Sequence, residues 1–343
     1  MYAKLQAYQP GRHCETTMLG ALLHSVRCPI SEPMLFGLGQ GLDFDFAHDP
    51  RPESQSVMIT GRNGPQELVT NACAALRIEP LTTQVTDEDE AHKDLVTLVR
   101  AGTVVGVSVD IFYLDYFASR SHFSAHCIAV EAIDDQVAYV IDTAQQGGRQ
   151  QLPVTSLRRA RSSNIGYKPS PQWSVHVEAV AEPIGCTRLV EPAWYALGAT
   201  CRRMLSTRGP DRGLRGMRTA AAYFASVPYT LDEAARQAEL ARFWRFAGTG
   251  GSNFRTLFTQ FLTELHLLSE DPLLLQPISE FTQVQRLWDE AIDTLLAVDP
   301  ASAPASSADV LPDFLSSLAT AEDRAFRHLF EVAVTHLAAA TAR

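Results

Sequence analysis

From about residue 187 to the C-terminus, apolar residues recur only at three- and four-residue spacing, over 191–206, 213–226, 231–246, 253–268, 280–297 and 321–340. Strand-like alternation is missing there, so this half of the chain has to bury helices against helices. Gly248-Thr249-Gly250-Gly251 and the Pro/Ala/Ser-rich run 299–308 punctuate it. The half before it reads differently. One helix pattern starts at Cys14, another covers 64–76 with Pro65 near its start, and an acid-started one covers 87–101. Strand-type runs follow: Thr103–Val109, the two runs between His126 and Asp142 around the turn Asp134-Asp135-Gln136, and Trp173–Val180. The expectation is an α+β domain over 1–185 followed by an all-α domain over 186–343.

Hydrophobic residues make up 46% and charged residues 20%, which suits two packed cores and excludes a disordered chain. Six cysteines, at 14, 28, 73, 127, 186 and 201, show neither CxxC spacing nor the framework of a small secreted domain, and read as reduced thiols of a cytoplasmic protein. Met1-Tyr2-Ala3-Lys4-Leu5-Gln6 has no apolar signal core, and no apolar run reaches membrane-spanning length, so neither secretion nor a membrane partner is expected. The net charge of −10 is uneven: residues 143–218 hold twelve Lys/Arg against four acids, a local +8 that leaves −18 elsewhere. A basic belt on an acidic protein points to an acidic partner surface or a phosphate group rather than to nucleic acid, with a solvated Arg-rich helix face as the plain alternative.

The chemistry concentrates on Cys14. The run Gly11-Arg12-His13-Cys14-Glu15-Thr16-Thr17 places this thiol in the first turn of a helix, where unpaired N–H groups and the helix dipole favour thiolate. A buried thiol would not be flanked by Arg12, His13 and Glu15. His126 opens one strand of the expected hairpin and Asp142 closes the other, so a Cys on a helix start faces a His and an Asp on neighbouring strands. That is the layout of papain-like cysteine enzymes. Taken singly, His126 is a core-edge histidine and Asp142 a strand cap; the order of the three is what argues for a triad. Cys28, Cys73 and Cys127 lie in apolar runs and belong to the core.

Two other readings compete. His122 and His126 have the i, i+4 spacing of metal ligands, and His13 and Cys14 could complete a zinc site. The segment after His126 reads as strand, however, and no Glu stands between the two histidines to act as base. Gly37-Leu38-Gly39-Gln40-Gly41 is glycine-rich like a phosphate loop but lacks Lys-Ser/Thr, and reads instead as a tight turn lining the cleft.

The phrases Gly11–Thr17, Ser31-Glu32-Pro33-Met34-Leu35-Phe36-Gly37-Leu38-Gly39-Gln40-Gly41 and His122-Phe123-Ser124-Ala125-His126 resemble the N-terminal domain of the butirosin biosynthesis protein H family. Thr249-Gly250-Gly251-Ser252-Asn253-Phe254-Arg255 resembles the helical companion domain of the same family, so the resemblance spans nearly the whole chain. It implies a papain-like fold that moves an acyl or aminoacyl group from a carrier-protein thioester, through a Cys14 acyl-enzyme, to an amine in specialised metabolism. The implied partners are an acyl or peptidyl carrier protein with its phosphopantetheine arm and a small-molecule amine; no cofactor is required. In that scheme Cys14 attacks, His126 shuttles the proton and Asp142 fixes the ring, while His13, Gly39, Gln40, His122 and Asp110 contact substrate. Many papain-like enzymes place a Gln six residues before the Cys; here that position is Tyr8, with Gln9 one residue displaced. A hydrolase of the same fold, or a non-catalytic carrier-binding module, remain alternatives. The module would need Cys14 buried or distant from His126.

Overall fold

The computed structural model describes residues 5, 7–48, 57–117, 119–178, 184–185, 187–207, 209–299 and 308–341. The N-terminal hexapeptide apart from Leu5, the strand end Ala179-Val180, Cys186, Arg208 and most of the break 299–308 lie outside them. In chain order the first half holds α1 (Cys14–Ser25), α2 (Glu32–Leu38), β1 (Leu42–His48), β2 (Val57–Arg62), α3 (Glu67–Leu76), β3 (Pro80–Gln84), α4 (Glu88–Arg100), β4 (Val105–Val109), β5 (His126–Ile133), β6 (Val137–Ile141), β7 (Arg149–Pro153), α5 (Val154–Ser162) and β8 (Trp173–Val177). The second holds α6 (Thr187–Met204), α7 (Gly213–Ser226), α8 (Leu231–Phe246), α9 (Arg255–Ser269), α10 (Leu275–Ala297) and α11 (Val310–Thr341). The class is α+β with a helical C-terminal region. No helix among the described residues is long and apolar enough to cross a membrane.

The chain divides into two compact units, Met1–Leu35 with Pro65–Gly185, and Phe36–Gly64 with Cys186–Arg343. The segment Phe36–Gly64, expected in the first domain, packs with the helices instead. The reason is legible in its pattern. Along β1, Leu42, Phe44 and Phe46 are buried, and the strand lies against α6 and α7. Phe46 meets Phe224 of α7 at 6.4 Å, Phe36 stacks on Phe254 at 5.8 Å, and Trp244 Nε1 of α8 donates to Ile59 O of β2 at 3.1 Å. Each buried aromatic side chain contributes about 2–3 kcal/mol there.

In the first unit all neighbouring strands run antiparallel in the order β3-β8-β4-β5-β6-β7. Alternation along β4 sets the layers. Val105, Val107 and Val109 join Ile128 and Val130 of β5, Leu95 and Val99 of α4 and Leu157 and Ala160 of α5 in one core. Gly106, between those valines, turns its α-carbon to α1: a methyl group there would come within 2.5 Å of Met18 Sδ. The sheet is thus covered by α1 on one face and by α4 and α5 on the other. The register Val109↔His126 and Ala129↔Ile141 brings the start of β5, the end of β4 and the end of β6 to one end of the sheet.

The second unit is centred on a buried ion pair. Arg255, at the start of α9, meets Glu322 of α11 through Nε–Oε1 at 2.8 Å and Nη2–Oε2 at 2.9 Å, both side chains being fully buried. Trp288 Nε1 of α10 donates to Glu322 Oε1 at 2.7 Å, and the guanidinium lies 4.8 Å from the Trp288 ring centre. The chain reaches Arg255 through Gly250, Gly251, Ser252, Asn253 and Phe254, all at positive φ. The two glycines take this conformation freely; the other three are held in it by their burial.

Candidate active site

Cys14 is the first residue of α1, and its thiol is half-exposed. His13, the residue before the helix, is extended and offers no side-chain cap. Glu32 of α2 stands in for it: its carboxylate accepts from Arg12 N at 2.8 Å, His13 N at 2.8 Å and Thr16 Oγ1 at 2.8 Å. These bonds fix how the backbone turns into α1, and so where the Cys14 sulfur points. The four other described cysteines are buried. Burial pushes the Cys73 thiol up to about 12 and raises that of Cys201 as well, which leaves Cys14 as the described thiol placed to react.

His126 opens β5 and Asp142 follows the last residue of β6. His126 Nε2 lies 2.8 Å from Asp142 Oδ2, and the Cys14 sulfur is near enough to the ring to raise its pKa. With Nε2 held by the carboxylate, Nδ1 is the nitrogen left for sulfur. Burial works against the charged ring, but the Asp142 carboxylate, by charge and by hydrogen bond, and the Cys14 sulfur outweigh it and raise the imidazole to about 10. The arrangement therefore holds an imidazolium between a carboxylate and a thiol. Because the folded value lies above the ordinary 6.5, the ring's contribution to stability is complete below about 6.5 and is lost as pH rises through about 10. Denaturant midpoints of the wild type, compared with His126→Gln, should show the wild type losing stability relative to the variant across that window.

Residues that the sequence did not single out hold the pair in place. Tyr116 Oη donates to Asp142 Oδ2 at 2.9 Å, and burial and the Asp142 charge keep its phenol protonated. Thr143 N donates to Asp142 Oδ1 at 2.6 Å, and Phe117 meets the His126 ring edge-on at 5.1 Å. The turn after Asp142 ties back to the approach to Cys14, since Ala144 N donates to Gly11 O at 2.8 Å and Asp142 N to Gly148 O at 2.7 Å. Gly148 sits at φ +74° against Pro10, where a side chain would collide at 2.9 Å. The Tyr116–Asp142, Ala144–Gly11 and Gly148–Pro10 contacts leave no spacing signal, because each joins residues far apart in the chain.

The remaining expected site residues separate. Asp110, directly after β4, is fully buried. Its Oδ2 lies 2.6 Å from His122 Nδ1 and accepts from Ser163 Oγ at 2.7 Å, while its Oδ1 accepts from Phe112 N and Phe123 N at 3.1 and 3.0 Å. Burial favours the neutral acid, but these hydrogen bonds prevail and lower its pKa, so the carboxylate stays charged. His122 and Asp110 thus form a second His–Asp pair at the His126 end of the sheet. His13 is 2% exposed, which removes it from the substrate-facing set. Its ring packs against Thr16, apart from His122 and His126, whose rings each face a separate carboxylate. Gly39 and Gln40 belong to the second unit and close α2: Gly41 N bonds Phe36 O and Gln40 N bonds Gly37 O in a left-handed helix cap, with Gln40 at φ 51°. Gly39 is buried and its carbonyl accepts from Asn63 Nδ2 at 3.0 Å. The glycine-rich segment is therefore a helix terminator. Tyr8 lies along α1, its hydroxyl donating to Thr17 O at 2.6 Å, and with Gln9 it lines a cavity of about 360 Å³ beside Gly20 and Glu32. The Cys14 N–H lies in the first turn of α1, where the helix offers it no backbone acceptor.

The arginines of the basic belt that fall in the second unit are largely paired within that unit. Arg203 lies 3.0 Å from Asp43, Arg212 3.8 Å from Asp45 and Arg218 3.8 Å from Asp323. Arg215 donates to Thr207 O at 3.0 Å, and Arg202 is exposed.

Compared with known proteins, residues 13–143 match the family described as butirosin biosynthesis protein H, N-terminal. Residues 155–329 match a domain of unknown function, DUF4872. The first match contains Cys14, His126 and Asp142. No curated protein matches the chain.

Proposed function

We propose that this chain, whose residues 13–143 match the N-terminal domain of the butirosin biosynthesis protein H family and whose residues 155–329 match the DUF4872 domain, is a cysteine-dependent acyltransferase. The family points to a biosynthetic enzyme of natural-product metabolism. The finer reading is a papain-like first unit in which Cys14 attacks a carrier-bound thioester, His126 supplies and recovers the proton, Asp142 orients the ring, and an amine takes the acyl group. One observation carries it: the His126 ring joins a carboxylate on one side to an accessible thiol at a helix N-terminus on the other. The carrier-binding module is disfavoured, because Cys14 is neither buried nor distant from His126.

Exchange of a thioester onto a thiolate trades one C–S bond for another, so it costs little. Attack by an amine then forms an amide and makes the second half irreversible. The test is intact-mass spectrometry after exposure to an acyl-pantetheine thioester. The expected result is a single acyl adduct on Cys14 that an amine discharges as amide faster than water does. An adduct cleared only by water would mean a hydrolase, and no adduct would remove the covalent mechanism.

A further inference from the structure

We propose that His122, oriented by Asp110, is a second general base that takes a proton from the acceptor ammonium. This rests on the acyl-transfer reading and assigns the acceptor half of the same site. Proton counting creates the need. After acylation the departing pantetheine thiol has taken the His126 proton, so His126 is neutral. A primary amine arrives at neutral pH as an ammonium ion. It must lose one proton before its lone pair can attack the thioester carbonyl, and a second as the C–N bond forms and the C–S bond breaks. His126 accepts only one of these, while the Cys14 sulfur leaves with the electron pair of the broken C–S bond. The other needs a separate acceptor that can pass it to solvent.

His122 has the geometry for that task. Asp110 holds its Nδ1 at 2.6 Å, which leaves Nε2 as the basic nitrogen, and Nε2 has no hydrogen-bond partner among the described residues. The side chain is 27% exposed, against 8% for His126, so a proton taken up there has a path to water. Phe112 stacks on the ring at 4.1 Å and Tyr113 meets it edge-on at 5.8 Å, which fixes its plane. The 165–168 loop approaches behind: Gly166, at φ +90°, passes so close that a side chain would lie 2.7 Å from His122 O. Asp110 and Tyr113 are the titratable groups that face the ring, and Tyr167, with the Lys168 ammonium 5.2 Å over it, stands next to Phe123. Placement is set by the sheet. Asp110 follows Val109, which is paired with His126. The segment after Asp110 reaches the triad, where Tyr116 bonds Asp142 and Phe117 packs on His126.

The experiment compares ethanolamine, an ammonium ion at pH 7, with hydroxylamine, which is neutral there, as acceptors for a pre-formed acyl-Cys14. In His122→Gln the acyl-Cys14 is formed before the acceptor is added, so that only its discharge is compared with wild type. Transfer to ethanolamine should fall about a hundredfold at pH 7 and recover as pH approaches the amine's pKa, and transfer to hydroxylamine should change little. Asp110→Asn should show the same split and serves if His122→Gln does not fold. Equal losses for both acceptors with no recovery at high pH would overturn the proposal. A wild type that never forms acyl-Cys14 would overturn the acyl-transfer reading instead.

Discussion

Cys14→Ser and His126→Ala are each expected to reduce single-turnover acylation by about a thousandfold or more, and the double variant to be scarcely slower than either. The reason is that thiol and ring act as one device. His126 carries its charge because Asp142 and the Cys14 sulfur flank it, so removing either partner removes the poised state that the other serves. Asp142→Asn tests the third member. Asp142 Oδ2 receives both His126 and Tyr116, and Oδ1 receives Thr143 N, so an amide can satisfy only some of these donors. Rates measured with a short acyl thioester by rapid quench and mass spectrometry decide the matter. Multiplicative losses in the double variant would show that the two residues do not share a step.

The largest stability effect should come from the second unit. Glu322→Gln or Arg255→Met alone leaves one buried charge without its partner, which costs about 3–5 kcal/mol. For a unit of this size that corresponds to a melting temperature lower by about 10 °C or more. Glu322 has the more connected position, since it also accepts from Trp288 Nε1. Replacing both residues by apolar ones of similar volume should recover much of the loss, because it removes the desolvation cost together with the attraction. Calorimetry on the two single variants and the double one reads this directly. A single variant that melts within a degree or two of wild type would show that the pair is solvated in solution.

The places of Cys14, His126 and Asp142 in the fold could be read from the chain because each sits where an element begins or ends, and such positions carry local signals: an apolar run behind Cys14, alternating runs around His126 and Asp142, a turn between them. The same holds for α4, whose N-cap Asp87 accepts from Glu90 N. What stayed hidden depends on partners distant in sequence. Tyr116 is a single polar residue in an unremarked segment and Glu32 lies in a phrase read only for its family resemblance, and only folding brings them to Asp142 and to the start of α1. Leu42-Asp43-Phe44-Asp45-Phe46 alternates as a strand should, yet nothing local says that its apolar face belongs to α6 and α7. The last helix begins at Val310 rather than at 321 because Pro312 falls within its first turn, where a missing N–H costs nothing.

The excursion of Phe36–Gly64 has a bearing on how the chain can be divided. The first unit is interrupted by residues that complete the second, and the family matches at 13–143 and 155–329 cut across both units. Cutting the chain near residue 185 would leave Phe36, Phe44 and Phe46 without the helices that bury them, and would leave those helices with an uncovered apolar face. A fragment that ends there therefore carries part of the second unit's core as exposed apolar surface, and neither unit can be produced intact by a single truncation.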